Sequence, residues 1–399
     1  MTYEKIKGVV SLASNNPGAP TGYGVQAEFL VRYMKRHSMN VGVLSNYGLE
    51  GAIGEHRTDF GSVPVYPKGV APYSQDVLTV WHEHHRQSAP DLKHAIMTLY
   101  DVWVYNAWKD EVPVISWVPL DHVTLPPGVA AFLRRENVSP VAMAPHGKRQ
   151  LDNAAIDSVY IPHAVNTKVF AKTPKMMGPE GMTPTRELLG VSDDTFLVAM
   201  VAANKANGIL HRKAYDVNFM AFSAHLQSHP DSHLYVHADP SPNVGGFDLA
   251  LLARVSGIPP EKITFANRDQ YRIGYSQADL AALYSAADVL LAPSYGEGFG
   301  VPQIEAQSAG CRVIGSGWAA SPDLIAEDGW LVEGQPFWDE PQKAFFQVPL
   351  LGSVVSALEL AYNAERGFSA MSRKFALDFD EEKVWADYWL PFLKGYFGG

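Results

Sequence analysis

The chain has 399 residues, 47% of them apolar and 19% charged, with a net charge of −10, which suits a soluble globular protein of two or three cores. The acidic balance argues against a general nucleic-acid binder, and the single cysteine, Cys311, excludes an internal disulfide. No apolar run is long enough to span a membrane, and Met1–Lys7 carries no signal-peptide segment, so a cytoplasmic protein is expected.

In chain order, Val9–Ala13 is the first apolar run and predicts a buried strand. Ser14–Gly24 is rich in turn formers and predicts a long loop, followed by a helix with Phe29, Leu30, Tyr33 and Met34 on one face. Gly22-Tyr23-Gly24-Val25-Gln26-Ala27 matches the spacing of a dinucleotide fingerprint. A nicotinamide site also needs the strand to run straight into the first glycine, and an acid about 20 residues on. Here the loop is long and the next strand, Val41–Leu44, ends in Ser45-Asn46, so an NAD(P)-dependent oxidoreductase is the weaker reading. Arg32, Lys35, Arg36 and His37 complement the dipole at the helix C-terminus; a peripheral contact with an anionic membrane is the alternative.

His82-Glu83-His84-His85 is not a zinc motif, because Arg86 stands four positions after His82. Thr98–Trp103 and Ile115–His122 each close a predicted strand with an aspartate. Strand C-termini in α/β sheets face the ligand crevice, which makes Asp101, Asp121 and His122 candidates beside their reading as loop caps. The Pro-, Met- and Gly-containing stretch through Thr185 predicts a surface linker. Phe196–Ala203 is a continuous apolar run, as in a central parallel strand, and the cations Lys205, Arg212 and Lys213 follow its end. Further strands are expected at Leu234–Asp239 and Ile263–Asn267, and a helix at Asp279–Ala287.

The most informative stretch follows the predicted strand Asp288–Pro293. Gly296, Gly298 and Gly300 alternate with Glu297 and Phe299, so the backbone can take positive φ and a ligand can come close. Pro302 suits a helix start and Gly310 a helix end, which places a helix N-terminus, a ready anion site, at the loop. A glycosidase would hold two carboxylates about 5–9.5 Å apart across a sugar. Glu297 and Glu305 would stand up to about 12 Å apart along a helix, so they suit two parts of one long ligand instead. Asp378-Phe379-Asp380, a D-x-D pattern, precedes an amphipathic stretch with Val384, Trp385, Tyr388, Trp389, Phe392 and Leu393 on one face, and predicts an N-cap rather than a metal site.

Glu297 and Glu305, with Gly298-Phe299-Gly300-Val301-Pro302 between them, closely resemble the signature of family 4 retaining glycosyltransferases. The resemblance implies an α/β GT-B fold: two Rossmann-like domains facing a central cleft, and a C-terminal helix crossing back to the first. The implied division is residues 1–165, 166–377 and 378–399. Ile161–Phe170 resembles the family's hinge, with Ala164 and Asn166 where glycine and aspartate are usual. By the same resemblance Glu297 binds the donor sugar, Glu305 the ribose, and the amides of Gly298, Phe299, Gly300 and Val301 the sugar and diphosphate. Lys205 and Lys213, with Arg212 as a further candidate, hold the diphosphate; Asn267 and Arg268 lie near the base. Gly22-Tyr23-Gly24 lies beneath the donor phosphates, and Asp101, Asp121 and His122 serve the acceptor. The expected activity is retaining transfer of sugar from a UDP-, GDP- or ADP-sugar, with no metal or other cofactor. The acceptor stays open among glycan, lipid, protein, small molecule and modified nucleic acid. A nucleotide-sugar-binding protein without transfer activity is the non-enzyme alternative.

Overall fold

The computed structural model describes residues 3–105, 111–178, 181–206, 210–242 and 245–398. Contacts divide the chain into one unit of residues 1–164, 340–344 and 381–399, and a second of residues 165–339 and 345–380.

The first unit carries an eight-stranded sheet: β1 (Val9–Ser14), β2 (Asn40–Ser45), β3 (Gly54–Thr58), β4 (Gly61–Tyr66), β5 (His94–Thr98), β6 (Val114–Val118), β7 (Val138–Ala142) and β8 (Val159–Tyr160). Its helices include α1 (Gly22–Arg36), α2 (Leu78–Arg86), α3 (Pro127–Leu133) and α4 (Pro145–Asn153). The order is β3-β4-β2-β1-β5-β6-β7-β8, parallel throughout except for the β3–β4 hairpin. Every residue of β1 and β6 is buried, as their apolar runs require of strands covered on both faces. The predicted loop after β1 ends earlier than Gly24. Thr21 Oγ1 accepts from the Gly24 amide at 3.0 Å, so Gly22, Tyr23 and Gly24 form the first turn of α1.

The second unit opens where a linker is predicted, but Lys175–Gly178 (β9) and Gly181–Pro184 (β10) pair as an antiparallel hairpin. After α5 (Thr185–Leu188) comes a six-stranded parallel sheet. Its strands are β11 (Phe196–Val201), β12 (Ser232–His237), β13 (Ile263–Phe265), β14 (Val289–Ala292), β15 (Arg312–Ser316) and β16 (Trp330–Val332), in the order β13-β12-β11-β14-β15-β16. The intervening helices are α6 (Tyr215–Leu226), α7 (Leu249–Val255), α8 (Arg268–Ile273), α9 (Gln277–Ala286), α10 (Val301–Ser308) and α11 (Ser321–Leu324). A hairpin of β17 (Gly334–Asp339) and β18 (Ala344–Pro349) leads to α12 (Leu351–Asn363) and α13 (Ala370–Ala376). One apolar core, with Phe196, Val198, Phe219, Phe222, Val289 and Leu358 among its members, ties α6 and α12 to the sheet. Cys311 is buried in this unit, as its small apolar character suggests.

The first unit is completed by α14 (Glu381–Val384), a π-helical turn at Trp385–Trp389, and α15 (Leu390–Phe397). Trp385, Trp389, Leu393 and Phe397 are buried at four-residue steps, which a regular α-helix would rotate by about 40° each; the wider turn keeps them on one side. Arg32 pairs with Glu381, Arg36 with Glu382 at 2.9 Å, and Trp385 Nε1 donates to His37 Nε2 at 3.0 Å. The basic end of α1 therefore serves folding within its own unit. The C-terminal piece starts at Glu381 rather than Asp378, and Val165 falls in the second unit. The Val165 amide donates to Phe379 O at 2.8 Å, and Thr167 Oγ1 donates to the Asp380 carboxylate at 2.5 Å. Among the described residues no helix is long and apolar enough to cross a membrane.

Each sheet reverses its strand order once, between β1 and β5 and between β11 and β14. Such reversal points open a crevice at the strand C-termini, where ligands of α/β proteins bind.

Candidate functional site

In the second unit the crevice holds the glycine loop. After β14 the chain runs through Pro293–Phe299, and Gly300, at φ 89°, is the N-cap of α10. Glycine adopts that left-handed conformation without strain. It brings no side chain to the helix end, and no acidic residue stands in the first turn. The positive end of α10 thus keeps its capacity for an anion. Gly310, at φ 87°, follows the helix C-cap as expected.

Glu297 lies beside this helix end, only 8% exposed. Lys213 Nζ sits 2.6 Å from its Oε1 and Arg212 Nη1 3.3 Å from its Oε2. Burial alone would raise the Glu297 pKa, but the two cations outweigh it and hold the carboxyl below its ordinary range. Two cations thus face the one carboxylate of Glu297. The turn carrying the cations is stapled to the loop: the Tyr295 amide donates to Arg212 O at 2.8 Å, and Asn218 Nδ2 donates to Pro293 O at 3.0 Å. Ala214, at φ 48°, takes a strained left-handed conformation directly after Lys213. A cavity lined by Ala202, Lys213, Pro293, Glu297, Gly300 and Gln303 lies between the ends of β11 and β14 and the start of α10.

The other predicted residues of this unit are spread around the crevice. Glu305 is buried in α10 and accepts from the Tyr284 hydroxyl at 3.1 Å. Burial pushes its pKa up to about 7, the tyrosine bond offsetting part of the rise. Asn267 caps α8, accepting from the Asp269 and Gln270 amides at 3.1 and 3.0 Å. Arg268 and Arg272 stand 3.7 and 3.4 Å from Asp239, which follows β12. Lys205 is exposed, one residue past the buried Asn204. Among the described residues, Arg212 and Lys213 meet Glu297.

In the first unit Asp101 follows β5 and precedes a single 3₁₀ turn at Val102–Val104. After β6, Asp121 Oδ1 lies 2.8 Å from His122 Nδ1, a pairing that orients the imidazole. The buried His122 also accepts, through its carbonyl, from His146 Nε2 at 2.9 Å. Gly22 is open to solvent, whereas a side chain at Gly24 would strike Ala19 O at 2.2 Å. These residues ring the C-terminal ends of β1, β5 and β6.

Several residues that shape both crevices carry no local signal. Tyr100 donates to Asn15 at 2.8 Å, and Asn15 donates to Thr21, the cap of α1, at 2.8 Å. Asn204 is buried between the Asp239 and Phe247 carbonyls at 2.9 and 2.8 Å, and His211 Nε2 meets its Oδ1 at 3.0 Å. Gln303 donates to Ser321 at 3.0 Å, while its Oε1 is buried without a hydrogen bond among the described residues. Thr21 is marked in hindsight as a threonine three residues before Gly24, and Asn204 by its place just past β11; nothing local marks Gln303.

Residues 207–342 match the family model described as glycosyl transferases group 1. The D-inositol 3-phosphate glycosyltransferase of Streptomyces avermitilis is 32% identical over 161 residues, which are 39% of this chain and 32% of that protein. That of Streptomyces griseus is 28% identical over 204 residues, 50% of this chain and 40% of that protein. The chain thus matches only about a third to two fifths of these relatives' length. Among solved structures, sucrose-phosphate synthase from Thermosynechococcus elongatus superposes with a TM-score of 0.73 at 16% identity, over 98% of this chain and all of that one. Anabaena HepE, in complex with UDP and glucose, gives 0.63 at 16% identity over 97% and 99%. On these findings the chain has the GT-B fold, and the segment similar to glycosyl transferases group 1 carries Arg212, Lys213, Glu297 and Glu305.

Proposed function

We propose that this chain transfers a glycosyl group from a nucleotide-diphosphate sugar to a hydroxyl acceptor, with retention of configuration and without a metal ion. The observation that carries the reading is the pairing of Arg212 and Lys213 with Glu297 beside the bare N-terminus of α10. Breaking the bond from the anomeric carbon to the diphosphate oxygen puts negative charge on the leaving nucleotide diphosphate. Lys213, Arg212 and the α10 amides supply fixed positive potential for that charge, the role a divalent ion plays elsewhere. Glu297 accepts from hydroxyls of the donor sugar, Glu305 from the ribose, and Asn267 and Arg268 neighbour the base. Gln303 Oε1, buried beside Glu297 and unpaired among the described residues, suits a further sugar hydroxyl. Lys205 approaches the diphosphate from the end of β11. In the first unit, Gly22-Tyr23-Gly24 contributes backbone to the donor, and Asp101, Asp121 and His122 position the acceptor. The acceptor hydroxyl gives its proton to the departing diphosphate oxygen as the new glycosidic bond forms.

UDP is the favoured nucleotide, since the structural neighbours include HepE with UDP and glucose and a UDP-forming trehalose-phosphate synthase. D-inositol 3-phosphate, named for the sequence relatives, is the first acceptor to test. The test is nucleotide release from UDP-, GDP- and ADP-sugars by purified protein, with and without acceptor and chelator. The reading expects release with one donor class and no effect of the chelator. Saturable NAD(P) binding at Gly22–Ala27, with no response to any nucleotide sugar, would overturn it.

A further inference from the structure

At the other end of the second sheet, beside the starts of β11 and β12, three ligating side chains converge. His225 stands in the last turn of α6, and His229 follows four positions later, its amide bonded to the His225 carbonyl at 3.1 Å. The helical turn thus continues and places both imidazoles on one side, ring centroids 4.6 Å apart. Glu359 reaches them from α12, with its Oε2 2.6 Å from His229 Nε2. One ligand atom from each of the three residues lies within 4.8 Å of the others.

The surroundings hold these groups as a metal site's outer partners do. Ser232, the first residue of β12, lies 3.1 Å from His225 Nε2 and fixes that ring. Asn363 donates to Glu359 Oε1 at 2.7 Å, leaving Oε2 on the histidine side. His225 is only 2% exposed, yet its Nδ1 is buried with no hydrogen-bond partner among the described residues. A neutral imidazole whose outer nitrogen is engaged and whose inner nitrogen is not is set up for one more bond.

We propose that His225, His229 and Glu359 form a divalent transition-metal site, of the kind that takes zinc, which clamps the end of α6 to α12. Two imidazoles and a carboxylate are a ligand set zinc accepts, with a fourth position left for water. At bonds of about 2.0–2.1 Å the ligand atoms of a tetrahedral site stand about 3.3 Å apart, so small side-chain rotations suffice. Glu359 is on the surface, which gives the ion an entry path.

The test is a zinc titration of the tag-free full chain against a chromophoric chelator, with thermal midpoints followed in parallel. The proposal expects one ion per chain, a higher midpoint with zinc, and an affinity loss in His229→Gln and in Glu359→Gln above the 10–100-fold typical of outer-shell changes. Asn363→Ala should weaken zinc by about 10-fold through loss of carboxylate orientation. His229 and Glu359 lie near the surface, so their variants are expected to fold, and the double variant corrects for zinc held by histidines elsewhere. Equal zinc affinity in wild type and the double variant, or no midpoint change on adding zinc, would overturn the site.

Discussion

The two sheets reverse strand order in the same way, yet their crevices are furnished differently. The β11/β14 crevice is electrostatic: two cations, a buried carboxylate and a helix end. The β1/β5 crevice is built from neutral hydrogen bonds, Tyr100 to Asn15 to Thr21, with Asp101, Asp121 and His122 at its rim. Topology decides where a ligand can sit, and side chains decide which part of it is welcome there. The proposed function assigns the diphosphate to the β11/β14 crevice and the acceptor hydroxyl to the β1/β5 crevice.

The sharpest way to break this contrast is to remove the nearer cation. Lys213→Ala should lower kcat/KM by about 10²–10³-fold, measured as nucleotide release. The same change takes from buried Glu297 the nearer of its two cations, and thus costs stability as well. Lys213→Ala/Glu297→Gln removes the stranded charge, so recovery of the unfolding midpoint without recovery of turnover separates the two effects. Turnover near wild type in Lys213→Ala, with the fold intact, would remove the charge-based account of this crevice.

The buried glutamate tests the same crevice through pH. The Glu305 carboxyl is raised to about 7, so the folded protein holds its proton more tightly than the unfolded chain does. Stability is therefore lost as pH rises from about 4.5 toward 7, and stays lower above that. A shift of that size corresponds to roughly 3 kcal/mol as an upper bound. Glu305→Gln keeps an acceptor for Tyr284 and should stabilise the protein at pH 8 but not near pH 4.5, by urea midpoints. Equal gains at both pH values would contradict a protonated Glu305.

The neutral crevice calls for a different readout. Asp121 holds His122 at 2.8 Å, so Asp121→Asn should slow transfer by about 10²-fold while leaving the donor-induced thermal shift unchanged. Loss of donor binding in that variant would erase the distinction between the two crevices.

The strands were readable because runs such as Phe196–Val201 leave no polar face to expose. The glycine loop and α10 were readable for a local reason as well, with Gly300, Pro302 and Gly310 each at a position its backbone demands. The partnership of Glu297 with Lys213 spans 84 residues, and no spacing rule reports it; only the likeness to a known signature pointed there. The β9–β10 hairpin was hidden because Lys175-Met176-Met177-Gly178 lacks the β-branched residues that announce a strand. The face of Val384, Trp385, Tyr388, Trp389, Phe392 and Leu393 predicted an amphipathic stretch, whereas burying Trp385, Trp389, Leu393 and Phe397 together takes a π turn.

The smallest expected effect concerns Thr21, which ends the loop of the neutral crevice and starts α1. Its hydroxyl oxygen accepts from both the Gly24 amide and Asn15, so Thr21→Ala removes a helix cap and one anchor of the loop. A lost cap costs about 1 kcal/mol, read as a lower denaturation midpoint with an unchanged slope. Thr21→Ser keeps the oxygen and should restore nearly all of it. Because Gly22-Tyr23-Gly24 is proposed to offer the donor only backbone and no charge is altered, nucleotide-sugar affinity should fall far less than in Lys213→Ala when scored well below the unfolding midpoint. If Thr21→Ala instead weakened donor binding as strongly as Lys213→Ala, the neutral crevice would share the diphosphate, and the separation of roles between the two sheets would fail.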